Sequence, residues 1–159
     1  IWTPWRMKYI QENHEKDRCI FCLAAESQKD EEHLVFYRGK YIFMILNRYP
    51  YTSGHLMSVP FAHAARLQDL TEATRTEMMS LVTRAVEVLQ AVYGPDGFNI
   101  GLNLGKMAGA GVADHLHTHI VPRWAGDTNF MSSVGATRVL PEALTDTYQR
   151  VKETWDQFS

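Results

Sequence analysis

Apolar positions along this chain fall into two kinds of pattern, and each predicts a different element. Met78, Leu81, Val82, Ala85, Val88, Leu89 and Val92 recur at i, i+3, i+4, i+7, i+10, i+11 and i+14. That spacing places them on one face of a long α-helix. Thr71 is suited to cap its start, and Gly94-Pro95 to stop it. Leu144, Tyr148, Val151 and Trp155 repeat the pattern, which predicts a final helix starting near Pro141, a favoured first-turn residue. The remaining apolar runs are short and strand-sized. They cover Leu34 to Tyr37 and Tyr41 to Leu46 around a turn at Gly39, His55 to Val59 ended by Pro60, Phe98 to Leu104, and His115 to Val121. Between them, residues 28–33, 47–54 and 105–111 read as loops. The expected fold is α+β: five strands in a mostly antiparallel sheet, a long helix and a C-terminal helix. One domain is expected over 1–159. Residues 1–18 form an arm whose Trp2 and Trp5 dock on the rest, 19–124 the core, and 125–159 a C-terminal segment.

Composition bounds the chemistry. The chain has 159 residues, 45% hydrophobic and 21% charged, enough for a sizeable core. A formal net charge of −2 gives no general attraction to nucleic acid or to an anionic membrane, so neither is an expected partner. No apolar run approaches the ~20 residues of a membrane helix, and no secretory signal is visible. The chain starts at Ile1, so a start methionine or a short leader is expected ahead of it. Two cysteines close together argue for a cytoplasmic protein over a disulfide-stapled secreted one.

The run Asp114-His115-Leu116-His117-Thr118-His119-Ile120-Val121-Pro122-Arg123-Trp124 concentrates the chemistry. On a strand, residues two apart project from one face, with Cα atoms about 7 Å apart. Three imidazoles are thus expected on one exposed face, with Leu116, Thr118 and Ile120 turned to the core. Imidazole titrates near neutrality, ligates metals and can act as a nucleophile. A metal centre and phosphate chemistry are both open readings. A single ion shared by all three rings is awkward, because the outer Cα atoms diverge beyond about 10 Å. The small residues around Asn103, from Gly101 to Gly105 and at Gly109-Ala110-Gly111, let backbone N–H groups approach an anion and tilt the balance toward phosphate.

Cys19-x-x-Cys22 is a second constellation. Two thiolates at this spacing can hold half of a zinc site, and His63 and His115 are candidates to complete four ligands. A redox dithiol is the rival, and it usually starts a helix in a βαβ setting that is not expected here. Free thiols are the third option. His55, alone at a strand start, reads by itself as structural.

These segments together resemble the histidine-triad (HIT) family. His115-Leu116-His117-Thr118-His119-Ile120-Val121 resembles its His-φ-His-φ-His-φ-φ motif, and Asn47 followed by His55-Leu56-Met57-Ser58-Val59-Pro60 resembles its ribose-binding segment and fourth histidine. Trp2 to Met7 and Val121 to Met131 look like the bacterial branch related to diadenosine tetraphosphate phosphorylases. The resemblance spans Cys19 to Trp124 in order. It implies a nucleotidyl transferase that cleaves dinucleoside polyphosphates, with His117 as nucleophile and a covalent AMP–histidine intermediate. His119 and His55 would bind the α-phosphate and support His117. Asn47 would hold ribose, Phe43 would wall the base, and Asn103 with Gly109, Ala110 and Gly111 would contact phosphate. Cys19, Cys22, His63 and His115 would hold a structural zinc, with no organic cofactor. A homodimer or a tetramer is implied. A hydrolase releasing AMP and a non-catalytic nucleotide-binding module are the alternatives. Two positions depart from the family pattern: Thr118 stands at an apolar position, and Ala110 where many relatives carry a polar side chain.

Overall fold

The computed structural model describes residues 18–127 and 142–158. The N-terminal arm with Trp2 and Trp5, residues 128–131 and Pro141 lie outside the described residues.

Five strands form one sheet in the order β1-β2-β3-β5-β4, every neighbouring pair antiparallel. They are β1 (Val35–Arg38), β2 (Ile42–Leu46), β3 (Leu56–Pro60), β4 (Gly97–Leu102) and β5 (Thr118–Arg123). The β1–β2 turn closes where expected: Gly39 N–H donates to the Ile42 carbonyl at 2.8 Å. β2 and β3 are buried along their whole length, as central strands should be.

The long helix is the element the pattern fixed best. It runs Glu72–Tyr93, and the Thr71 hydroxyl accepts from the Thr74 N–H at 3.1 Å. Such a cap is worth about 1 kcal/mol. Gly94 takes φ 53° and ends it, a left-handed conformation that favours glycine. Met78, Leu81, Val82, Ala85, Val88 and Leu89 are buried against β2, β3 and β5, each contributing on the order of 1.5–3 kcal/mol. The C-terminal helix, Leu144–Gln157, buries Tyr148, Val151 and Trp155 as its spacing predicts. Its Tyr148 hydroxyl donates to the Val35 carbonyl at 2.9 Å, tying it to β1.

Two expectations are corrected. Residues 28–33 are not a plain loop, and 20–26, given no element from the pattern, are helical: α1 (Ile20–Glu26) and α2 (Asp30–His33) precede the sheet, so the long helix becomes α3 and the C-terminal helix α4. α1 is too short for its periodicity to register, since only Phe21 and Ala24 are buried on it. Tertiary contacts complete it: the Arg38 guanidinium donates to the carbonyls of Ala24, Ala25 and Ser27 at 2.8–2.9 Å. It satisfies carbonyls that a helix end leaves open.

The histidine strand is also shorter than expected. β5 starts at Thr118, so His115 and His117 precede it. The β3 ladder ends at the Ser58–Thr118 pair, and the Leu116 N–H turns instead to the Ala64 carbonyl at 2.7 Å. Pro60 has no N–H to extend the ladder. Nor is the histidine face exposed: His115 is 1% and His117 6% accessible. Leu116, Thr118 and Ile120 are buried, as expected.

Candidate active site

A cavity of about 360 Å³ opens over one face of the sheet, within the size range of small-ligand sites. His117, His119, Asn47, Asn103, Gly109 and Gly111 line it. So do Ile20, Phe21, Leu23 and Ala24 from the start of α1, Ile45 and Leu46 from β2, and Met57 from β3. One end of the cavity is therefore polar and histidine-rich, and the rest is largely apolar.

The three histidines of the motif have different partners, and the partners decide their chemistry. His117 Nδ1 donates to the His115 carbonyl at 2.9 Å. This leaves Nε2 as the unprotonated nitrogen of a side chain that lines the cavity. Burial holds its pKa below the ordinary histidine value, against the raising effect of that hydrogen bond, so the ring is neutral at pH 7. A neutral, oriented imidazole is what nucleophilic attack requires.

His119 is held through a relay. The Tyr51 N–H donates to His55 Nδ1 at 3.1 Å, so His55 carries its proton on Nε2. His55 Nε2 then donates to His119 Nδ1 at 2.9 Å. His119 consequently presents a proton on Nε2. Burial, with a smaller contribution from the charge of His117, pushes its pKa down to about 4. It is thus a neutral hydrogen-bond donor. His55 is buried behind His119 at 1% accessibility and does not line the cavity. Its hydrogen bond fixes the tautomer of His119. The Tyr51 ring packs on His55 with centroids 4.6 Å apart. Asn47 is positioned by its neighbours: its Oδ1 accepts from the Tyr49 N–H at 2.9 Å, and its Nδ2 lies 3.3 Å from His55 Nδ1.

His115 turns the other way. Its Nε2 donates to the Pro60 carbonyl at 2.8 Å, which frees Nδ1. That nitrogen lies 3.3 Å from Cys19 Sγ and 3.6 Å from Cys22 Sγ, and His63 Nδ1 is 3.2 Å from Cys22 Sγ. The four donor atoms all lie within 4.8 Å of one another. Four ligands around zinc at bonds of about 2.0–2.3 Å have edges of this order. Two thiols and two imidazoles are a zinc donor set, and the carbonyl behind His115 is the usual second partner of a ligating histidine. The residues fit the metal. Cys22 is the first turn of α1, so the dithiol does start a helix, but two imidazoles face it, unlike an isolated redox pair. Among the described residues no cluster gathers all three motif histidines, which removes a metal centre built on His115, His117 and His119 together.

Sequence reasoning assigned three residues to positions where they do not sit, the first being His55, expected to bind the α-phosphate but held behind His119 and off the cavity wall. Phe43 is fully buried, packed against Phe61 with centroids 5.2 Å apart, and does not line the cavity. Phe43 shares the face of Ile45 but lies one row further along β2, opposite Val59, and Ile45 opposite Met57 takes the wall position. Ala110 is likewise absent from the lining, while Gly109 and Gly111 on either side are present. Gly109 adopts φ 87° at the end of the short turn Lys106–Ala108, which a side-chain-bearing residue would resist. Phe21 was missed. It lies 4.9 Å from the His117 ring and 5.4 Å from the His115 ring, centroid to centroid, and walls the cavity. Its position inside Cys19-x-x-Cys22 was the available signal.

Comparisons agree with this geometry. The family model for the HIT domain matches residues 28–126. An AP-4-A phosphorylase of Mycobacterium tuberculosis is 43% identical over 163 aligned positions, which cover 98% of this chain and 83% of that protein. The asymmetrical bis(5'-nucleosyl)-tetraphosphatase of Schizosaccharomyces pombe is 36% identical over 93 positions, 58% of this chain and 50% of that protein. Among solved structures, a Zn-bound histidine triad family protein from Mycobacterium smegmatis superposes with a TM-score of 0.71 at 27% identity. That match covers 88% of this chain and 94% of the other.

Proposed function

The chain belongs to the HIT domain family, and from that premise we propose that it is a dinucleoside polyphosphate phosphorylase, converting diadenosine tetraphosphate and phosphate to ATP and ADP. The observation that carries the reading is the His117 tautomer. With Nδ1 committed to the His115 carbonyl, Nε2 is the only nitrogen available to a substrate. The relative of Mycobacterium tuberculosis, matched almost end to end, supports the substrate class.

His117 Nε2 attacks the α-phosphorus in line, and the bond to the bridging oxygen breaks as ATP leaves. The AMP–histidine intermediate keeps its Nδ1 proton on the His115 carbonyl, so the positive charge formed on the ring is stabilised where it appears. His119 donates from Nε2 to a phosphate oxygen, and the backbone around Gly109 and Gly111 with Asn103 faces the same group. Phosphate then attacks the phosphorus and releases ADP, which restores neutral His117. Splitting the displacement in two lets one site serve both nucleophiles in turn. Asn47 takes the ribose, and the apolar wall takes the base.

Cys19, Cys22, His63 and His115 hold a structural zinc. The ion supplies no chemistry to the reaction, but it pins α1, whose Phe21 walls the cavity, to the segment carrying His117. The whole chain acts as one domain. β4 is an edge strand with Ile100 46% exposed, which suits pairing with a second copy into a homodimer. No helix among the described residues is long and apolar enough to cross a membrane, and the reduced thiols that zinc requires suit the cytoplasm.

The test is incubation with diadenosine tetraphosphate with and without phosphate. ATP plus ADP formed only with phosphate is the expected result. AMP plus ATP formed without phosphate would make the protein a hydrolase, the activity named for the yeast relative.

A further inference from the structure

The donors of the thiol–imidazole cluster are not equally enclosed. His115 is buried, Cys19 and Cys22 are half-buried, and His63 is exposed. The cluster is closed on the side of the histidine segment and open on the side of the thiols, so a small solute can approach them from solvent. Cys19 and Cys22 are also the only cysteines of this chain, so within it each has one possible disulfide partner.

The cluster stands where α1 is least supported. The C-terminal end of α1 is held by the Arg38 guanidinium on the carbonyls of Ala24, Ala25 and Ser27. At its N-terminal end Cys19 makes no side-chain cap, and the Arg18–Glu26 ion pair is exposed and contributes little. A helix of seven residues does not stand by itself. Yet α1 carries Ile20, Phe21, Leu23 and Ala24 into the cavity wall, and Phe21 packs near the rings of both sites, His115 and His117. Whatever ties Cys19 and Cys22 to His115 therefore also steadies the apolar wall.

We propose that Cys19 and Cys22 are a peroxide-sensitive dithiol, whose closure to a disulfide releases the metal and loosens the α1 wall of the cavity. This rests on the metal and nucleotide readings of the two sites. One thiolate attacks a peroxide oxygen, the O–O bond breaks, a sulfenic acid forms and hydroxide leaves. The second thiolate attacks the sulfenic sulfur, forms the S–S bond and expels a second hydroxide. Two electrons pass from the sulfurs to the peroxide, and solvent protonates both hydroxides. Zinc binds thiolates rather than a disulfide, and the two imidazoles that remain are half of a four-ligand site. The hydrogen bond from His117 goes to a main-chain carbonyl and needs no metal. Oxidation therefore weakens substrate binding more than the chemical step.

The experiment titrates the zinc-loaded protein with hydrogen peroxide. Released metal is read with a chromogenic chelator, free thiols with a thiol reagent, and KM and kcat for diadenosine tetraphosphate on the same samples. Two thiols should disappear for each zinc released, with the loss of two hydrogens from a single chain by mass spectrometry. KM should rise roughly tenfold, the size of losing one buried aromatic contact, while kcat stays within about twofold. Dithiothreitol with added zinc should restore both metal and KM. Zinc and thiols that persist at peroxide concentrations sufficient to oxidise free dithiothreitol overturn the proposal. So does zinc release with KM unchanged, or a disulfide formed between chains. A loss that dithiothreitol and zinc do not reverse places the damage on methionine, such as Met57 in the cavity wall, and overturns it too. A purified protein that holds no zinc, or does not turn diadenosine tetraphosphate over, overturns the underlying readings before any peroxide is added.

Discussion

His115 and His119 lie four residues apart in one segment, yet they serve different regions of the molecule. His115 faces two thiols and a second imidazole, while His119 faces the cavity with a relay of hydrogen bonds behind it. In both, a neighbour occupies one ring nitrogen and thereby assigns the other its task. The Pro60 carbonyl takes a proton from His115 Nε2 and leaves a lone pair on Nδ1, as a metal ligand needs. His55 donates to Nδ1 of His119 and leaves a proton on Nε2, as an oxygen-binding donor needs. The same side chain thus becomes an acceptor or a donor through its partner rather than its position in the motif. His117 stands between the two regions. It leans on the His115 backbone and acts in the His119 cavity.

If the two regions are separable, substitutions should split activity from metal. The largest effect is expected for His117→Ala: turnover falls by at least about 10³-fold, while zinc content by elemental analysis stays at that of the native protein. Loss of the metal together with turnover would show that the regions form one unit. Cys22→Ser should do the reverse. Metal content drops, and the thermal midpoint falls by roughly 10 °C, the size of a loss of about 3–5 kcal/mol in a domain of this length. Its turnover declines far less than in His117→Ala. Calorimetric scans with metal analysis on the same samples decide it.

The smallest effect concerns acid. The folded pKa of His119 is about 4, against 6.5 for the exposed ring. The unfolded chain therefore binds a proton that the folded site refuses. Stability is complete above about pH 6.5 and declines as pH falls from 6.5 toward 4. Urea midpoints over that range should fall more steeply for the native protein than for His119→Gln. Parallel curves would place the acid sensitivity elsewhere, in the thiol cluster for instance.

Much of this was legible before any coordinates. The periodicity of α3 and α4 required no tertiary information, because a 22-residue amphipathic helix repeats its signal over six turns' worth of contacts. The donor set of Cys19, Cys22, His63 and His115 was legible because zinc demands four ligands of few kinds. By contrast, α1 and α2 were illegible. Helices of seven and four residues carry little periodicity, and long-range partners such as Arg38 hold the first of them. The placing of Phe43 failed for a related reason. β2 is apolar along its whole length, so the sequence does not mark how far along the strand the cavity reaches, and Phe43, on the same face as Ile45, falls one row beyond it.

What the chain determined alone is the inventory: two helices, five strands, seven histidines of which five serve the two sites, and two thiols at ligand spacing. Local periodicity and side-chain chemistry are written residue by residue, so they can be read residue by residue. Tertiary structure decided which nitrogen of each imidazole is free, how far along β2 the cavity reaches, and that α1 forms and walls it. Each of these depends on a partner distant in sequence: Pro60 for His115, His55 for His119, Met57 for Ile45 and Arg38 for α1. Only the folded chain brings such partners within hydrogen-bonding distance.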